Sequence, residues 1–334
     1  MSPMSAATHP TYLDLAMTLG PNDKVSAIIE ALNQTNEVLD DMSAVEGNML
    51  TGHTTTVRTG IPAPTWRRLY GGVQPTRSTT VRIQDTCGML EAYAEVDKAL
   101  ADLNGNSAAF RLSENRPHLE GFNQEVCGSL FYANEETEPE AFTGLAPRFN
   151  SLSAPNARNI IDCGGTGSTN TSIWLVVWGQ ETVHAIYPKG SAGGFQMTDK
   201  GQVTVENADG SGGRMEAYRT HYRWDIGLTV RDWRYIVRAA NIDVGELNKD
   251  PATAGADLVD ILTQCLEAVE ALTNGRAAFY VNRTVRSYLR RQMVTAVKSS
   301  TLTMENLAGK QVLSFDGVPV RRVDQLVSTE ARVV

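Results

Sequence analysis

Several fragments of the chain carry residue types that could do chemistry. Gly164-Gly165-Thr166-Gly167 follows the apolar pair Ile160-Ile161, the order found in loops that cradle phosphate. Such a loop holds an anion only when a helix comes next, because the free N–H groups of the helix start supply the charge. Here Ile173-Trp174-Leu175-Val176-Val177 reads as a strand, so the glycines read as a hairpin loop. Gly309-Lys310 lacks the hydroxyl residue and the upstream glycine of a nucleotide loop. Asp209-Gly210-Ser211-Gly212-Gly213 offers too few carboxylates for calcium. The histidines His9, His53, His118, His184 and His221 show no metal-ligand spacing, and no GxSxG turn accompanies them. Cys87, Cys127, Cys163 and Cys265 form no CxxC pair and read as isolated thiols in a reducing compartment. No catalytic residue, cofactor or metal is expected.

Two basic stretches need weighing. Arg214, Arg219, Arg223, Arg231, Arg234 and Arg238 interleave with Tyr218, Tyr222, Trp224, Trp233 and Tyr235, a pattern that can stack and bind single-stranded nucleic acid. Glu216, Asp225 and Asp232 lie among them and can pair with the arginines, so a strand with one buried aromatic face explains the pattern better. Arg283, Arg286, Arg290, Arg291 and Lys298 read as the solvated face of a helix over Thr284–Lys298.

The elements that position these residues are α and β mixed, without a βαβ series. Val25, Ile28, Ile29, Leu32, Leu39 and Met42 predict a helix over Asn22–Met42, started by Asn22. Residues 1–46 hold seven acids against the single base Lys24, whereas residues 47–84 hold five arginines and no acid. That basic segment has Thr-rich arms around a centre with Pro62, Pro64, Trp66 and Gly71-Gly72, and predicts a long hairpin. Arms of about twelve residues would reach on the order of 40 Å. A two-stranded ribbon is marginal alone in water and needs a surface; the acidic arm of a neighbouring copy would offer one. A second helix is predicted over Arg116–Asn134, with Pro117 in its first turn and Gly121 and Gly128 marking close packing or a kink. Strands follow at Ser172–Trp178, Thr182–Ile186, Gln202–Glu206 and an alternating run Tyr218–Val237. A helix through Leu258–Leu272 is expected to be capped by Asn274-Gly275. A strand at Ala277–Val281, the helix Thr284–Lys298, and strands at Val312–Phe315 and Val318–Val323 close the chain. A domain break is expected near Ala239–Thr253.

With 334 residues, 42% apolar and 20% charged, the chain has room for about two domains with true cores. Its net charge of −8 excludes a protein that grips nucleic acid over its whole surface. No apolar run is long enough to span a membrane, and residues 1–10 lack a signal-peptide core.

Specific phrases carry a resemblance. "GHTTTVRTG" (Gly52–Gly60) with "IPAPTWRRLYGGVQPTRSTT", "EPEAFTGLAPRFN" (Glu138–Asn150), "IWLVVWGQETVHAIYPKGS" (Ile173–Ser191) and "YRTHYRWDIGLTVRDWRYIVRAANID" (Tyr218–Asp243) resemble, in consistent order from about Leu13 to Val327, the major capsid proteins of short-tailed double-stranded DNA phages. The resemblance implies the Hong Kong 97 type coat fold. Its parts would be an N-terminal arm (1–46), an extended loop (47–84), a peripheral domain (mainly 85–250) with a spine helix near 116–134, an axial domain (mainly 251–303), and C-terminal strands (304–334) returning to the peripheral domain. It implies self-assembly into pentamers and hexamers of an icosahedral shell around the phage genome, with synthesis in the host cytoplasm. It further implies a portal, a scaffolding protein, packaged DNA held non-specifically and a possible cement protein as partners. No residue matches the isopeptide chemistry of some members, so a non-covalent shell is expected. The contact residues expected on the extended loop are Arg58, Trp66, Arg67, Arg68, Arg77 and Arg82. Other readings are a cellular compartment of the same fold enclosing protein cargo and a nucleic-acid-binding protein acting through Tyr218–Arg238.

Overall fold

The computed structural model describes residues 34, 36–103, 107–206, 212–247, 256–295, 302–307 and 310–334. The predicted N-terminal helix lies mostly outside the described residues. At its predicted end only Val38–Asp41 is helical (α1), because Asn36 bridges to Val323 and breaks the helix before it; a short β1 (Ala44–Glu46) follows. The chain forms two compact units, one of residues 36–88, 127–193 and 226–334, the other of residues 89–126 and 194–225.

After α1 and β1 the larger unit continues with the ribbon strands, β2 (Gly52–Gly60) and β3 (Thr79–Asp97), of which β3 runs on into the smaller unit. After the four-residue α2 (Lys98–Ala101), α3 (Ser107–Tyr132) likewise belongs to both units. The larger unit then adds α4 (Leu145–Arg148), β4 (Ile160–Asp162), β5 (Asn170–Trp178) and β6 (Val183–Tyr187). β5 is buried along its whole length, the burial a continuous apolar run calls for. β9 (Ile236–Asp243) pairs antiparallel with one edge of β5, and β10 (Arg276–Val281) with the other. β4 lies parallel outside β9; β13 (Val318–Arg322) lies parallel outside β10, followed by β12 (Lys310–Phe315) and β11 (Leu302–Leu307). Ile173, Leu175 and Val177 on one face of β5 share a core with α5 (Leu258–Ala268) and α6 (Arg283–Thr295). Trp174 on the other face meets Phe131 and Phe149.

In the smaller unit, β7 (Gly194–Glu206) pairs antiparallel with the first part of β8 (Arg214–Val230). One core cluster there is Ala94, Phe122 and Tyr222, with Phe195 and Trp224 against it, and another is Val96, Leu100, Ala101 and Phe110. No helix among the described residues is long and apolar enough to cross a membrane.

Several expectations need correction. α3 starts nine residues before Arg116, so Pro117 sits inside the helix rather than in its first turn. A Cβ added at Gly121 would meet no atom of the described residues within 4 Å, so this glycine does not mark close packing among them. The alternating run Tyr218–Val237 is two strands, because Asp232 accepts a hydrogen bond from the Arg234 N–H and turns the chain between β8 and β9. α5 ends at Ala268, with Val269 already extended; Asn274-Gly275 instead belongs to the turn into β10. An added Cβ at Gly275 would sit 2.2 Å from the Trp178 carbonyl oxygen, so close approach explains that glycine. The glycines at 164–167 link β4 to β5, and those strands flank β9 instead of pairing as a hairpin. The break expected near Ala239–Thr253 does not separate two cores, since α5 and α6 pack on the same core as β5 and β9.

Candidate assembly surface

The ribbon is built from its root outward. His53 stands opposite Asp85, and pairing runs from Gly52↔Thr86 to Gly60↔Thr79 with an irregularity after Arg58. Only glycine fits at Gly52, where a Cβ would lie 2.1 Å from the Asp85 carbonyl oxygen. Asn48 fastens the outer edge of β2: its amide donates to the Thr54 carbonyl at 2.7 Å and accepts from the Thr54 N–H at 2.8 Å. Below, the buried Asp85 carboxylate accepts from Arg148 at 2.8 Å and from the Thr229 hydroxyl. Arg148 spends its other donors on the carbonyls of Thr143, Gly144 and Leu228. The root is therefore a joint held by hydrogen bonds and an ion pair from several segments.

Two histidines pack at that joint, His53 and His184, with ring centroids 6.0 Å apart and edge to face. Burial, then the charge of Arg231, lowers the pKa of His53 below its usual 6.5; the nearby Asp85 opposes the shift. For His184, too, burial is the main cause of a lowered value. Both imidazoles are neutral at pH 7.

The tip is the opposite of the root. The nine residues of β2 give about 30 Å of ribbon, shorter than the twelve expected, and residues 61–78 contain no strand. A tight turn closes with the Gly71 N–H donating to the Arg68 carbonyl, and Tyr70 takes a left-handed φ of 64°. Arg58, Trp66, Arg67, Arg68, Arg77 and Arg82 are all exposed. None of the five arginines has an ion-pair partner among the described residues; Arg82 reaches only the Thr54 hydroxyl. Trp66 and Tyr70 are fully exposed, and Ile61 and Leu69 nearly so. Reading the sequence for charge singled out the arginines and Trp66 and passed over Ile61, Leu69 and Tyr70, which lie exposed in the same Pro/Gly-rich centre.

Three of the described acids of the N-terminal arm, Glu37, Asp41 and Glu46, are engaged within the chain, while Asp40 is exposed. Asp41, its carboxylate fully buried, pairs with Arg276 at 2.8 Å and Arg321 at 3.2 Å. Glu37 faces Arg286 and Arg321, and Glu46 accepts from the Gly190 N–H. Arg286 is consequently half-buried, not part of a wet helix face; Lys298 lies outside the described residues. The basic–aromatic stretch is also internally paired: Arg219 with Glu95, Arg223 with Asp225, Arg231 with Glu181, Arg234 with Asp232 and Arg238 with Glu330. That pairing removes the phosphate groove a nucleic-acid platform needs. No group of three or more His, Cys, Asp or Glu among the described residues could hold a metal ion.

The ribbon thus joins a hydrogen-bonded root to an exposed tip that is both apolar and basic. The family model of major capsid protein GP7 matches residues 20–334. The chain belongs to that family. A chain from the near-atomic structure of bacteriophage Epsilon15 is 42% identical, with a TM-score of 0.79 over 100% of this coat protein and 99% of the phage chain. The capsid chain of bacteriophage JBD30 is 10% identical, with a TM-score of 0.48, over 89% and 93% of the two chains. The SrpI encapsulin complex of Synechococcus elongatus gives 10% identity and a TM-score of 0.45, over 66% and 92%. No curated protein sequence matches. The coat protein thus has the mixed α and β fold of phage capsid subunits, as its phrases implied, and its place is the shell of the virion.

Proposed function

We propose that copies of this coat protein form pentamers and hexamers of an icosahedral shell around a double-stranded DNA genome, and that the ribbon tip of each copy docks on a neighbour. The observation that carries this reading is the tip itself. A fully exposed Trp66 beside Ile61, Leu69 and Tyr70 is costly to leave in water, and arginine with aromatics is the composition of interface anchors. Weak contacts repeated around a closed shell add to a strong one. By the same reading the shell is non-covalent and the chain is not a catalyst. It is made in the host cytoplasm, with a portal, a scaffolding protein, a possible cement protein and non-specifically held DNA as its partners.

Residues 1–46 serve as the arm, 47–84 as the extended loop and α3 as the spine helix. Because α5 and α6 share the core of β5 and β9, we assign the axial domain to that whole sheet with its helices, rather than to 251–303 alone. Deleting Pro62–Gly72 leaves the root joint intact. The expected result is a soluble, folded subunit that forms no closed shells under negative-stain electron microscopy; normal shells from this deletion would sink the ribbon reading.

A further inference from the structure

Four side chains close a ring at the ribbon root. His184 on β6 stands opposite Thr229 on β8. The Thr229 hydroxyl donates to Asp85 on β3, and Asp85 stands opposite His53 on β2. In a flat sheet the ends of this four-strand row would lie about 14 Å apart, three strand spacings of about 4.8 Å. The two imidazole centroids are 6.0 Å apart instead, so the sheet curls here until the row meets itself. His184 is 2% exposed, and its Nδ1 lies 3.3 Å from the Gly179 carbonyl oxygen. The buried His53 Nδ1 has no hydrogen-bond partner among the described residues. The surrounding charges favour neutral rings. Asp85, the carboxylate of the ring, is bonded to Arg148 and Thr229, and Arg231 stands nearby, held by Glu181 and the Gln180 carbonyl.

We propose that this ring is a latch: closed on neutral imidazoles it fixes the ribbon at its root, and protonation of His53 and His184 opens it, so that the ribbon swings away from the copy it binds. The release from a neighbouring copy rests on reading the ribbon as a tie between subunits; the opening of the root does not. Each proton adds a cation to a buried site that already sets Arg148 and Arg231 against Asp85 and Glu181. Once the ring opens, the imidazoles regain water and their ordinary value of about 6.5. The open form therefore takes up protons that burial and Arg231 keep off the closed one. Below that value, each such proton raises the open population by up to about tenfold per pH unit.

The test uses the full chain. In free subunits, amide exchange at Gly52–Thr55 and Ile83–Thr86, corrected for its intrinsic pH dependence, is expected to rise about tenfold or more between pH 7.5 and 5.5, and by more than exchange along β5. A flat rate at the root, or an equal rise along β5, overturns the latch. His53→Gln/His184→Gln should flatten the rise, and a rise as large as in the wild type also overturns it. Where that variant fails to fold, the partly exposed Arg231 gives a second reading. Arg231→Gln removes a cation that opposes protonation, so the opening should move to higher pH, whereas loss of a merely structural arginine would raise exchange alike at every pH. An opening at the wild-type pH overturns the latch. Assembled shells taken from pH 7.5 to 5.5 are expected to lose subunits, seen as falling light scattering, while shells of His53→Gln/His184→Gln hold. Wild-type shells that stay closed while the root opens overturn the release. Normal shells from the Pro62–Gly72 deletion overturn the tie, and the release with it, and leave the latch to be judged by exchange.

Discussion

Arg238 and Glu330 form an ion pair at 2.8 Å with both side chains almost wholly buried. Burial of this kind is tolerable only when the remaining donors are matched. Arg238 donates to the Phe149 carbonyl at 2.7 Å and to the Ser172 hydroxyl at 3.0 Å, and its guanidinium lies 5.1 Å from the Trp174 ring centre. Tyr132 donates to the second Glu330 oxygen, and burial together with that carboxylate pushes its pKa up, keeping it a donor. Glu330→Ala strands the guanidinium and is expected to cost about 3–5 kcal/mol, read as a lower urea midpoint; an unchanged midpoint would show that the cluster does not hold the tail. The Arg238→Met/Glu330→Leu double variant should lose less, since no buried charge remains. Nothing near Arg238 in the chain announces this role. It looked like one more arginine of a basic stretch because its partner lies 92 residues away.

At the scale of elements, what could be read in the sequence was what local pattern determines. The run Ile173–Trp178 is buried on both faces and was legible as a strand; the Thr-rich arms were legible as a ribbon. The first part of α3 was not, because Pro117 looks like a helix start and the stripe before it is weak. The ribbon root also needed the structure, since its joint gathers Gly52, Asp85, Arg148 and Thr229 from separate segments. That joint has a pH dependence. His53 and His184 have folded pKa values below 6.5, so on acidification the unfolded chain binds protons first. Their contribution to stability is complete above about 6.5 and is lost as pH falls from there through the lowered values. Asp85 faces them but is bonded to Arg148 and Thr229, and Arg231 opposes a further cation. The unfolding midpoint is expected to drop between pH 7.5 and 5.5, above the range where ordinary carboxylates titrate. The drop should shrink in His53→Gln/His184→Gln; an equal drop in that variant would place the dependence elsewhere.

For the whole molecule, the question is which electrostatic effect controls assembly. Each copy carries a net charge of −8, and that repulsion is spread over its surface. The ribbon attraction is local, from five unpaired arginines gathered on one hairpin. At about 0.15 M salt the screening length is about 8 Å, so diffuse repulsion between copies is already largely damped. Contacts a few ångströms long survive until the screening length approaches about 3 Å, near 1 M. Raising salt across that interval therefore removes more attraction than repulsion, and the initial assembly rate followed by light scattering should fall. Replacing Arg58, Arg67, Arg68, Arg77 and Arg82 by Gln should slow assembly at low salt and flatten the dependence. A wild-type rate indifferent to salt would leave Trp66, Ile61, Leu69 and Tyr70 to drive docking, because apolar contacts weaken little as charges are screened.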